Sequence, residues 1–336
     1  MTAPIAFILS TAARGPLGLT SRQVAMCARA RKSLPVETRY LDRVGHPIAV
    51  AQYLPLPDTV HGHDRLVRMA APALRDAWIE REGPRDAVPL VLALPAPGRA
   101  DDDPRFGPAF IEALAARTRL PLDLRTSLAI RADHAGFAQA LEGATAMLSR
   151  PGGPRAVMVG GVDSYLHPGV LAALDEDYRL HTPSNDNGFI PGEGAAFALL
   201  AREPLHAIRP LGALRRVVLE SEDTVGTDAP NTARAMTAIL RAMRADGPVP
   251  WVLSDVTSER HRVREWTLAA TRVLDDTVDD RLSDHTGDLG AATGPTLLAI
   301  TCAFFAARCA PSREVVIALH SDGPERGALR VTEDAS

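Results

Sequence analysis

Gly160-Gly161-Val162-Asp163-Ser164 and Gly188-Phe189-Ile190-Pro191-Gly192-Glu193-Gly194-Ala195-Ala196 are the two stretches on which the reading of this chain turns. The first follows an apolar run, residues 156–159, and reads as the end of a buried strand. Glycines there let the backbone turn or be approached closely. The second is a tight glycine turn feeding an apolar strand over residues 195–200. Either motif alone is weak, so their surroundings carry the argument.

The surroundings are unusual helices. Residues 135–148 are rich in Ala and Gly and apolar round most of the circumference, and residues 295–307 are apolar nearly all round. A helix without a polar face must be covered on every side. Each leads, after a polar turn, to a buried strand, at 156–159 and 315–319. The order strand 90–94, helix near 104–117, buried helix 135–148, strand 156–159 recurs as strand 251–256, helix near 262–274, buried helix 295–307, strand 315–319. Residue identity between the two series is slight, so the repeat is one of pattern. It predicts two βαβ-rich halves, residues 1–205 and 206–336, stacked about a pseudo-twofold axis. Elsewhere the spacing predicts a strand at 4–9, a helix from Thr20 or Ser21 to Arg31, a helix at 66–80, and a helix opened by Asp103 as N-cap with Pro104 in its first turn.

Taken together, and lying behind a buried helix, the two glycine motifs resemble the ketosynthases of fatty-acid and polyketide biosynthesis, members of the thiolase superfamily. In that family a glycine-rich strand end precedes a GF-x-x-GEGA turn. The resemblance is closest over residues 130–202 and diffuse elsewhere. It implies an α/β, thiolase-like fold of five layers, α-β-α-β-α, with two pseudo-equivalent halves. It also implies that Glu193 is a buried structural carboxylate, and that a dimer forms through residues 122–130, where Leu128-Ala129-Ile130 offers apolar edge-strand material. The chain is shorter than a typical ketosynthase, which implies trimmed loops.

The chemistry that the resemblance implies is missing. A condensing ketosynthase holds a cysteine at the N-terminus of the first buried helix, where the helix dipole and backbone N–H groups favour a thiolate and stabilise an oxyanion. Pairing residues 132–141 with the family's ACSSSLVAL run sets His134 at the cysteine position, and a one-residue slip sets Asp133 there. The first family histidine lies in an HGTG turn. Here the strand ends Ser254-Asp255-Val256-Thr257-Ser258-Glu259, and His261 comes only at the start of the next helix. The second lies in GH-x-x-AAAG, where this chain reads Gly287-Asp288-Leu289-Gly290-Ala291-Ala292-Thr293-Gly294, so Asp288 replaces it. The accompanying lysine is also gone; Lys32 is the only lysine in the chain. The phenylalanine-containing glycine gate is replaced by Ser321-Asp322-Gly323-Pro324-Glu325-Arg326-Gly327. Condensation by the family route is thereby excluded as the expected activity.

Two functions follow as expectations. The first is a catalytically degenerate ketosynthase-like scaffold, resembling a chain length factor or serving as an adaptor. Its partners would be a second copy or a ketosynthase in a dimer, with an acyl carrier protein or an effector protein as a further partner. The second is an acyl-thioester hydrolase or acyltransferase in which His134, Asp133 and Asp288 form an acid–base cluster. Against that cluster stands a structural reading in which Asp133 and Asp288 cap helices. On the catalytic reading, His134→Ala leaves folding intact and abolishes turnover. Asp284, His285 and Asp288, with Asp279 or Asp280, have a spacing open to a divalent metal, but solvated loops are the commoner meaning, and neither metal nor cofactor is expected.

The totals agree with a globular protein. A net charge of −4 gives no general attraction to nucleic acid or to an anionic membrane. Cys27, Cys302 and Cys309 show no paired or metal-ligand spacing, which suits a reducing compartment, and Cys302 and Cys309 read as packed core thiols. Residues 1–10 lack the pattern of a secretory signal, and the apolar run 291–307 is too short and mixed to span a bilayer. A cytoplasmic location is expected.

Overall fold

The computed structural model describes residues 3–79, 86–205 and 208–333. The first half of the chain runs β1 (Ala6–Arg14), α1 (Ser21–Arg29), β2 (Val36–Leu41), β3 (Pro47–Val50), α2 (Gly62–Ala77), β4 (Leu90–Leu94), α3 (Pro108–Thr118), β5 (Leu128–Arg131), α4 (Gly136–Ser149), β6 (Ala156–Ser164), α5 (Pro168–Glu176) and β7 (Glu193–Ala201). The second runs β8 (Gly212–Ser221), α6 (Arg234–Arg244), β9 (Trp251–Ser254), α7 (Arg260–Val273), β10 (Val278–Arg281), α8 (Ser283–Thr286), α9 (Thr293–Ala306), β11 (Glu314–His320) and β12 (Glu325–Thr332). The division proposed at 205/206 touches His206, which lies outside the described residues, as does Glu80 at the end expected for the second helix.

The strands order as β10-β9-β11-β12-β8-β1-β7-β6-β4-β5. This ladder is two copies of one five-stranded pattern placed back to back. In each copy three strands are parallel, β5-β4-β6 or β10-β9-β11, and two antiparallel strands follow. The copies meet where β1 pairs with β8 over only three residues, Ala6 with Leu214 to Ile8 with Gly212. Two sheets were expected; the short β1–β8 pairing makes them one continuous ladder folded round a middle layer.

That middle layer is α4 and α9. Helix α4 packs on β4 and β6 of one sheet and on β8 and β12 of the other, while α9 packs on β1, β7 and β11. Phe137, Leu141, Leu298 and Ile300 are fully or almost fully buried, as helices without a polar face must be. Helices α2 and α3 cover the outside of the first sheet, and α6 and α7 the outside of the second. This is the α-β-α-β-α layering.

Local chemistry sets the start of the first helix. Thr20 caps α1, its Oγ1 accepting from Gln23 N at 3.2 Å. The expected start of the third helix was wrong. Helix α3 begins at Pro108 behind Gly107, and Asp103 instead binds the Arg105 backbone and guanidinium in the preceding turn. That pairing holds the Asp103 carboxyl down at about 2. Asp101 and Asp102 likewise pair with Arg99 and Arg131.

Glu193 opens β7 and is fully buried. Both its oxygens are held by Arg65 at 2.5 Å, and Tyr53 N and Ser164 Oγ complete the set at 2.7 and 2.6 Å. A buried carboxylate is tolerated only with partners of this kind. It fixes the glycine turn against α2, in the structural role that the resemblance implies.

Candidate functional site

The tips of α4 and α9 converge, and the glycine motif at the end of β6 lets them. A Cβ on Gly161 would lie 2.1 Å from the Ala291 carbonyl oxygen, so only glycine admits the short 3₁₀ turn Gly290–Ala292 that leads into α9. The matching turn ahead of α4 is Asp133–Ala135, and Asp133 has the left-handed φ of 55°. Residues of that region often mark functional turns.

The three residues singled out from the sequence come together there. His134 Nε2 lies 2.6 Å from Asp288 Oδ1, and His134 Nδ1 lies 3.1 Å from Asp133 Oδ2. His134 is completely enclosed, with Asp133 5% and Asp288 2% exposed. Burial alone would depress the imidazole pKa. The two facing carboxylates outweigh it and raise His134 well above its ordinary value, with Arg262 opposing. Burial resists ionisation of Asp288, yet His134, Arg262 and the Gly290 N–H hold it below the carboxylate range. The ring is hydrogen-bonded to Asp288 on one side and faces Asp133 at ion-pair distance on the other, where Nδ1 makes no hydrogen bond, an arrangement that favours its protonated form.

Capping is divided differently from the expectation. Asp288 does cap its turn, Oδ1 accepting from Gly290 N at 2.8 Å, and Asp163 adds a second bond from Ala291 N at 3.0 Å. Asp133 makes no capping hydrogen bond. Ser321 takes that part at the α4 tip, its Oγ accepting from Ala135 N at 2.9 Å and donating to the Ala132 carbonyl at 2.6 Å. Ser321 belongs to the stretch that replaces the glycine gate.

Further buried charges surround the tips. His320 Nδ1 lies 2.7 Å from Asp255 Oδ1, both within 1% of full burial. Arg262 donates to the His320 carbonyl oxygen at 2.7 Å and to Asp322 at 2.6 Å, and Asp322 also pairs with Arg179. Asp163 pairs with Arg99 at 2.9 Å; burial pushes its carboxyl up to about 6 against that attraction. Asp255 and His320 sit at the C-terminal ends of β9 and β11, adjacent parallel strands. Polar residues just beyond neighbouring parallel strands were the available signal for this pair.

The other candidates lie elsewhere. No cysteine reaches either tip: Cys27 is in α1, Cys302 is buried within α9 with its thiol pushed up to about 12 by burial, and Cys309 lies past the end of α9, half-buried. Cys309 still packs against the main core, at its edge and beyond the helix on which it was expected. His261 is exposed on the first turn of α7 and lines a separate cleft with Arg260 and Arg264. Asp279 and Asp280 accept the indole N–H groups of Trp266 and Trp251. Among the described residues no three His, Cys, Asp or Glu side chains are grouped as for a metal ion, and no helix is long and apolar enough to cross a membrane.

By sequence, no family model and no curated protein matches this chain. Solved structures match throughout. A complex of a ketosynthase with its chain length factor from Xenorhabdus doucetiae has a TM-score of 0.79 at 14% identity, covering 98% of this chain and 98% of the other. A beta-ketoacyl synthase from Burkholderia phymatum STM815 has 0.77 at 15%, covering 99% and 100%. A complex of a type II PKS acyl-carrier protein with its ketosynthase bound to the hexaketide has 0.78 at 13%, covering 99% and 100%. The chain has the thiolase-like fold. Its architecture is similar to that of the ketosynthases and the chain length factor complex among those structures.

Proposed function

We propose that this protein is a non-condensing scaffold of ketosynthase architecture, acting by pairing with another chain and not by forming an acyl-enzyme. The observation that carries the proposal is His134. It stands where the resemblance implies a reactive thiol, has no exposure to solvent, and faces Asp288 and Asp133 with its two ring nitrogens, which favours the imidazolium form. An imidazolium has no lone pair to activate water, and an enclosed ring offers no approach to a thioester.

The two ends of the strand ladder support pairing. At one end β10 carries Asp279 and Asp280, and charged residues guard a free edge. At the other, β5 reads Leu128-Ala129-Ile130-Arg131, with Leu128 47% exposed and Leu124 in the preceding loop 46% exposed. A cleft of about 680 Å³ bordered by Leu128, Met147 and Arg150 runs beside it. The partner is a second copy or a ketosynthase-type chain, in the manner of the chain length factor complex among the structural neighbours. An acyl carrier protein or an effector protein is the further partner for which such a pair would provide a surface.

Intact-mass measurement after incubation with acyl-CoA and acyl-carrier donors tests the proposal, with release of free acid followed in parallel. The expected result is an unmodified chain and no thioester cleavage above background. A covalent acyl adduct, or cleavage that disappears in an Asp288→Asn variant shown by circular dichroism to remain folded, would instead favour the hydrolase or acyltransferase reading with His134, Asp133 and Asp288 as its catalytic set.

A further inference from the structure

Beside Asp288 a cleft of about 180 Å³ opens to the surface, with Phe189 and Ile190 as its apolar wall. Its polar lining is Thr257, Ser258, Ser283, Asp284 and Asp288, with His181 exposed at the rim.

The hydroxyl protons in this lining are already committed. Ser258 Oγ donates to the Gly188 carbonyl, Ser283 Oγ to the Val256 carbonyl, and Thr257 Oγ1 to Glu259. Each hydroxyl therefore has only lone pairs left to offer. Asp288 uses Oδ1 for His134 and Gly290, while its Oδ2 is buried without a hydrogen-bond partner. Asp284 is exposed and makes no ion pair among the described residues. Of the two carboxyl groups in the lining, Asp284 has no ion pair among the described residues and Asp288 has one oxygen to spare. A lining whose free positions are acceptors, two of them carboxyl groups, selects a ligand that is positive and donates only. The described residues provide no grouping for a metal ion, and the Phe189–Ile190 wall suits a hydrocarbon stem.

We propose that this cleft receives a primary ammonium group carried on a short alkyl stem. The ammonium is held between Asp284 and Asp288, and its three N–H bonds are shared among carboxylate and hydroxyl oxygens. The inference does not depend on the scaffold reading, because it concerns a site apart from the pairing edge.

The test titrates the intact protein with n-butylammonium chloride, n-butanol and sodium butyrate at matched ionic strength, read by saturation-transfer NMR. The expected result is saturable transfer to n-butylammonium alone. Asp284→Asn, at an exposed position that leaves the core untouched, should weaken it about threefold to fivefold. Asp284→Lys, which places a tethered ammonium in the cleft, should abolish it. A further arm with Nα-acetyl-lysine amide separates the sources: tighter binding than n-butylammonium identifies a protein lysine as the occupant, and weaker binding a free amine. No transfer to n-butylammonium, an equal response from n-butanol, or indifference to Asp284→Asn would each overturn the proposal and leave the cleft to water.

Discussion

His134 Nε2 and Asp288 Oδ1, separated by 154 positions in the chain, lie 2.6 Å apart and tie the tips of the two central helices together. The contact is fully buried, so removing one member strands a charge. His134→Ala is expected to cost about 3–5 kcal/mol, the range for breaking a buried ion pair from one side. The sequence alone suggested that this substitution spares folding; the enclosure of His134 argues for the opposite. Urea unfolding of His134→Ala, Asp288→Asn and the double variant should show strong non-additivity. A loss below about 1 kcal/mol for His134→Ala would mean that the contact is no ion pair.

The pH dependence has a definite sign. The folded pKa of His134 is raised, so its contribution is complete below the unfolded value of about 6.5 and is lost as pH rises through the folded value. Asp288 is depressed, so its contribution is complete above about 3.9 and is lost as pH falls through its folded value. Asp163, raised to about 6 by burial, behaves like His134 in sign and loses its contribution between about 3.9 and its folded value. The charged groups acting on His134 include Asp133, Asp288 and Arg262, together with Asp255 and Asp322. Long-range ¹H–¹⁵N spectra should therefore show the His134 ring doubly protonated at pH 7.5, with thermal stability falling on the alkaline side. A ring that titrates at or below 6.5 would remove the imidazolium from the argument for lost catalysis.

The elements legible from sequence were those whose burial leaves a mark on composition. Helices α4 and α9 announce themselves because neither has a polar face, and β6 and β7 because glycine turns bracket apolar runs. Strand β12 was missed: its alternation of Arg326, Arg330 and apolar residues reads as surface, yet Arg326 and Arg330 are buried and paired with Glu265 and Glu314. Long-range ion pairs leave no periodic signal. The same holds at the site. His134, Asp133 and Asp288 were found because motif positions pointed at them, whereas Ser321, Arg262 and the Asp255–His320 pair join it through contacts between elements far apart in the chain.

Gly161 supplies a sharper test of how the site is assembled. It lies within a fully buried strand, and a methyl there would be 2.1 Å from the Ala291 carbonyl oxygen and 3.1 Å from the Pro295 ring. The obstacle is mainly backbone, which cannot rotate away. Gly161→Ala should destabilise by at least about 1–3 kcal/mol, as overpacking does, and should displace the α9 tip from Asp163 and Asp288. Gly143→Ala is the control. It lies on α4, where the added carbon meets only Val91 at 3.9 Å, and alanine favours a helix by about 1 kcal/mol over glycine. Chemical denaturation should separate the two in sign; equal behaviour would mean that the strand end and the helix tip are less closely fitted than described.

The pairing edge can be tested apart from any chemistry. Leu128 on β5 is half-exposed and faces no core, so Leu128→Arg should leave the unfolding midpoint of the isolated chain nearly unchanged, as surface substitutions do. On the scaffold reading the same change must weaken association, because a charge placed on an open strand edge blocks edge-to-edge pairing. The matched control is Val278→Arg on β10, the other free end of the ladder, which is similarly exposed but already flanked by Asp279 and Asp280. Light scattering across a concentration series should show a dimer for the protein and for Val278→Arg, and a shift toward monomer for Leu128→Arg. If both variants dissociate alike, or neither does, pairing runs through some other surface and β5 has no special part in it.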